Sequence, residues 1–163
     1  MIRRGVAAVS CMIIAGALVW AQFTDHSTPP RNTNGDVVGM ETGETFPEYH
    51  SRAQATVDSA TGDCFALVTL ERPGDLAPLD AISVQRLSAA VYRDKPAVPV
   101  PEPIGGATRS SVLPAPESVV AVVVYSAAEQ LRDVAKVPGI AAVEALPDDA
   151  AWGQFGIRPV AVE

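Results

Sequence analysis

An α/β fold of the α+β kind is predicted by three observations on this sequence. Two strand–helix–strand units stand in tandem at 64–93 and 118–146, a capped amphipathic helix at 45–61 precedes them, and nineteen uncharged residues at 5–23 precede that helix. Two such units pair into a four-stranded antiparallel sheet with helices on one face, the ferredoxin-like α/β plait. The predicted whole is an N-terminal transmembrane helix followed by a small plait that carries an extra N-terminal helix.

Residues 5–23 are long enough to cross a bilayer core, because about 20 residues rising roughly 1.5 Å each span some 30 Å. Arg3 and Arg4 precede the run and no Lys or Arg follows it until Arg31. The positive-inside bias therefore leaves residues 1–4 as a cytoplasmic stub and sends the rest outside. Trp20 and Phe23 stand where interfacial anchors are expected. The competing reading is a cleaved secretory signal cut after Val19-Trp20-Ala21, but the apolar run is long for such a signal and aromatics flank the cut. Both readings place the main domain outside the cytoplasm, and the uncleaved anchor makes the protein a single-pass protein of the cell membrane. Ala7, Cys11 and Ala15 recur every four residues and form a small-residue stripe on which another membrane helix can pack.

Residues 24–44 are polar, contain Pro29-Pro30 and several glycines, and read as a stalk or as an irregular segment lying along something else. The folded domain is expected over 45–147. Thr45 at N-cap and Glu48 at N3 form a capping box with Pro47 in the first turn. Phe46, Tyr49, Ala53, Val57 and Ala60 mark one apolar face, and Gly62 is expected to end the helix. The apolar run 64–70 reads as a buried strand between turn residues. Leu79, Ile82 and Leu87 point to a short helix, and 89–93 to a strand.

Residues 94–117 carry Pro96, Pro99, Pro101, Pro103, Pro114 and Pro116 and read as a long loop with polyproline stretches. The unbroken apolar run 118–125 predicts a strand buried on both faces. Ser126 and Glu129 suggest a second capping box. Leu131, Val134 and Ala135 face the core, and Pro138-Gly139 stops that helix. Residues 140–146 return as a strand. A tail over 148–163 follows, in which 156–160 is a candidate edge strand.

Chemistry is sparse in this pattern. The part beyond the apolar segment carries ten basic and nineteen acidic residues, a balance of −9, which argues against nucleic acid. His26 and His50 are the only histidines. Asn32, Asn34 and Asp36 open like a calcium loop, but Val37 and Gly43 stand where its glycine and glutamate belong. There is no nucleophile elbow, and Gly105-Gly106 lacks the Lys of a phosphate loop. Asp148-Asp149 reads as a solvated turn. Cys11 and Cys64 fall in different compartments and form no pair, and Cys64 opens an apolar run as a core residue does. No catalytic residue, cofactor ligand or metal set is assigned, and a non-catalytic protein is expected. Two candidate partner surfaces remain: Pro99, Pro101 and Pro103 in the proline-rich loop, and Trp152 and Phe155 in the tail.

The run 43–49, GETFPEY, with Arg52-Ala53 and then FALVTL at 65–70, resembles small actinobacterial single-pass membrane proteins of mostly unassigned role. The closing run 119–147 is similar to their C-terminal half. Some members of that group are accessory subunits of the respiratory supercomplex of cytochrome bc complex and cytochrome oxidase. The resemblance therefore implies a membrane-anchored extracytoplasmic accessory subunit whose partners are the lipid bilayer and a larger integral-membrane complex. Its motifs are packing motifs and transfer no catalytic residue. Residues 131–147 are also similar to subtilisin propeptides and inhibitors, which implies the alternative of a free-standing cell-surface binding or inhibitory module.

Overall fold

The computed structural model describes residues 35–162. The expected membrane segment with Ala7, Cys11, Ala15, Trp20 and Phe23 lies outside the described residues. Among the described residues no helix is long and apolar enough to cross a membrane.

The chain from residue 35 forms a mixed α+β domain in the order β1 (Val37–Val38), α1 (Phe46–Ser59), β2 (Asp63–Leu70), α2 (Ala77–Ala81), β3 (Arg86–Tyr92), β4 (Val98–Pro99), β5 (Val119–Ala127), α3 (Ala128–Val134), β6 (Ile140–Ala145) and β7 (Gly156–Ile157). Five strands make one sheet in the order β4-β3-β5-β2-β6, with every neighbouring pair antiparallel. The runs of Val, Leu and Ala in β2 and β5 suit this place, because the two central strands are covered on both faces.

The two faces belong to separate cores. Ala66, Val68, Leu87, Val122, Val124 and Val143 pack with Leu79 of α2 and with Leu131 and Val134 of α3. Leu67, Ala89, Val91, Val123 and Ala142 pack on the other side with Tyr49 and Ala53 of α1, Val38, Phe155 and Val160. The helices inside the two strand–helix–strand units thus share one face, as predicted. Helix α1 lies along the edge strand β6 and contributes Val57 to the first core as well. Thr56 Oγ1 accepts the outward N–H of Ala145 at 2.8 Å, so a helix hydroxyl takes the place of a sixth strand.

Several expectations are corrected. The N-cap of α3 is Ala127, not Ser126, and the second capping box does not form. Ser126 remains on β5 opposite Cys64, its hydroxyl bonded to the Gln130 side chain, while Ala128 N–H donates to Gly62 O at 3.0 Å. Leu87 belongs to β3 and α2 is only five residues long, because extended Ile82 ends it. Ala60, also extended, ends α1 ahead of Gly62. The loop 94–117 holds the short strand β4 and a 3-10 turn at Ser110–Val112. Residues 37–38 of the expected stalk form β1, which pairs in parallel with β7. Strand β7 therefore lies apart from the main sheet, where the tail was expected to add an edge.

Candidate functional site

Residues 39–52 form a charged clasp with Glu144 of β6. Glu48 Oε2 accepts from Thr45 N–H at 2.9 Å and from the Thr45 hydroxyl at 2.7 Å, which closes the predicted capping box. One turn further along α1, Arg52 grips Glu44 with two bonds: Nε donates to Oε1 at 2.9 Å and an η nitrogen donates to Oε2 at 3.0 Å. Its other η nitrogen donates to Glu144 Oε1 at 2.5 Å. The second oxygen of Glu144 accepts Gly39 N–H at 2.6 Å, and Gly39 O accepts from Arg52 at 3.0 Å.

Three segments of the chain, residues 39–44, α1 and β6, are therefore tied through one guanidinium. Gly39 has φ +100°, and a Cβ there would stand 1.9 Å from Arg158 O, so only glycine fits between the clasp and the tail. The Arg52 hydrogen bonds, followed by the Glu41 backbone, hold the Glu44 carboxyl down at about 2. Burial pushes the Tyr49 hydroxyl well above its ordinary value, with the Glu144 charge adding to it. This cluster fixes structure, since every oxygen of its two carboxylates is engaged by Arg52 or by a backbone N–H.

A second constellation faces solvent. Cross-strand register places Phe65 of β2 opposite Tyr125 of β5, and Tyr125 opposite Arg86 of β3. The Phe65 and Tyr125 rings lie 4.9 Å apart, and the Arg86 guanidinium sits 5.7 Å from each centroid. Such placement over aromatic faces holds a cation by the ring quadrupoles. Trp152 then stacks 5.7 Å from Phe65. Two hollows adjoin at Arg86. One, of ≈ 480 Å³, is lined also by Phe65, Tyr125 and Asp148; the other, of ≈ 190 Å³, is lined also by Trp152, Pro99 and Glu102.

The two partner surfaces expected from the sequence thus meet at one groove through Pro99 and Trp152. Pro101 is exposed and Pro103 half-buried beside it in the chain, and neither lines the groove. Phe155 is 7 % exposed and packs in the second core, whereas Trp152 is 41 % exposed. Arg86, Tyr125 and Phe65 were not singled out from the sequence. Their spacing is uninformative until register brings them into one row, although an Arg at a strand start beside an apolar run is a usable hint.

Pro99 has another role in the same place. It occupies the non-hydrogen-bonded position of the β3–β4 pair, since Val100 N–H donates to Ser88 O one residue on. The backbone nitrogen of Pro99 faces away from the sheet and carries no hydrogen, which blunts this edge against another strand.

A separate hollow of ≈ 260 Å³ between the end of α1 and residues 145–148 is lined by Cys64. Burial, with the Asp63 and Asp148 charges, pushes that thiol up, away from a reactive thiolate. Among the described residues no three His, Cys, Asp or Glu side chains are grouped to hold a metal ion. No protein-family model matches the chain, and no curated protein or solved structure is significantly similar to it.

Proposed function

We propose that this chain is a membrane-anchored, extracytoplasmic accessory subunit that docks on a larger membrane complex and stabilises it. We infer the finer fold as well: β6-β2-β5-β3 has the strand order of a ferredoxin-like plait, and β4 is an added edge strand.

The observation that carries the docking reading is the exposed Trp152 beside the aromatic-mounted Arg86. Trp, Tyr and Arg are the residues most enriched among binding hot spots. The uncharged run 5–23 supports an anchor, and the resemblance of 43–53 and 119–147 favours the actinobacterial respiratory supercomplex as the partner. The alternative, an inhibitory module, needs a tail free to enter a protease. Phe155 and Val160 are instead buried and Gly156–Ile157 is paired with β1, which favours docking.

Purification of the full chain from membranes in mild detergent tests this reading. Stoichiometric recovery with a membrane complex is expected, and recovery solely as a free single chain would sink it.

A further inference from the structure

We propose that the Arg86 groove receives an extended segment of the docked partner, one that lays a carboxylate on Arg86 and an apolar side chain on Trp152. The proposal rests on the docking reading above and adds the chemistry of the contact.

Arg86 is built for one more partner. Its Nε donates to Ser88 Oγ at 3.2 Å, and among the described residues its two terminal nitrogens have no acceptor and no carboxylate within ion-pair distance. Ser88 and the two rings hold the guanidinium in place through its Nε and its face, which leaves the terminal nitrogens for bidentate recognition. The nearest acids do not fill that role. Glu102 accepts the Leu87 N–H and lies 4.0 Å from Arg109, and Asp148 lines the larger hollow without coming within ion-pair distance of Arg86.

Asp148 also limits the charge the hollow accepts. The segment carries its acidic side chain at Arg86 and no second acid beside Asp148. Because the domain as a whole is acidic, the groove recognises a single placed carboxylate and not a polyanion. Recognition is by side chains, since Pro99 offers no outward N–H to seat the segment as an added strand.

The test uses the full chain in native membranes with the photo-crosslinking residue p-benzoylphenylalanine at position 152, and at exposed Ala55 on α1 as control. Expected is a crosslink from position 152, absent from position 55, to a partner segment that contains Asp or Glu. Arg86→Gln should lower its yield about tenfold, as loss of roughly 1.4 kcal/mol implies. Arg86→Glu combined with Lys at the mapped acidic position should restore the yield, which separates lost recognition from lost folding. A mapped segment without a carboxylate, a crosslink only to a second copy of this chain, or a yield unchanged by Arg86→Gln would overturn the proposal. If the unsubstituted chain co-purifies with a complex but position 152 crosslinks nothing, the groove assignment alone falls. If nothing co-purifies, the docking reading falls and this proposal with it.

Discussion

Arg52 of α1 and Glu144 of β6 meet at 2.5 Å although 92 positions separate them in the chain. The Glu144 side chain is 4 % exposed and that of Arg52 is 35 % exposed, so one charge is buried and its partner reaches water. Arg52→Ala leaves Glu144 with only the Gly39 N–H. Breaking a fully buried pair costs roughly 3–5 kcal/mol, and partial solvation of Arg52 lowers the expected loss to about 2–4 kcal/mol. Urea unfolding measures it. Limited proteolysis should also cut residues 39–44 faster in this variant, because both of their ties to α1 are gone.

Acid should loosen the same clasp. Arg52 holds the Glu44 carboxyl down at about 2, against 4.5 for an unperturbed Glu. A carboxyl depressed in the folded chain adds stability that is complete above its unfolded value and fades as pH falls toward its folded one. The difference in melting temperature between the native chain and Glu44→Gln should be constant above about pH 5.5 and shrink between 4.5 and 2. A difference that stays constant down to pH 2 would show that Glu44 gains nothing from Arg52.

Wherever chemistry is local, the sequence was readable. The capping box at Thr45 and Glu48 and the apolar faces of 64–70 and 118–125 depend on neighbours a few positions away, and they form where expected. Contacts set by register or by long closure were not readable. Nothing near Glu144 in the chain announces a buried acid, because Arg52 and Gly39 arrive from the opposite end. The Phe65–Tyr125–Arg86 row exists only once three strands align. Ser126 misled because a serine three residues before a glutamate satisfies the capping pattern whether or not the strand continues through it.

The proline at the β4 edge gives a prediction about association. Pro99→Thr restores one outward N–H on the edge strand β4, and pairing between two copies of the edge becomes available there. Sedimentation of the full chain in detergent should shift from single copies toward dimers as concentration rises. Pro99→Lys restores the same N–H but adds a charge that resists pairing, so it should remain single. Equal behaviour of the two variants would mean that the missing N–H is not what keeps this edge apart.

Trp152 and Phe155, three residues apart in the tail, should separate cleanly when truncated. Phe155 is buried against Phe65 at 5.4 Å within the second core, so Phe155→Ala opens a cavity and should cost about 3–5 kcal/mol. Trp152 rests on the same ring from outside and remains 41 % exposed, so Trp152→Ala should cost about 1 kcal/mol or less. Urea unfolding of the two variants gives both numbers, and co-purification with the membrane complex gives the complementary measurement. A surface residue that contacts a partner loses binding while the domain remains folded, and that pattern is expected of Trp152→Ala. A large stability loss for Trp152→Ala would make the tryptophan a packing residue and remove the aromatic wall of the groove from the docking argument.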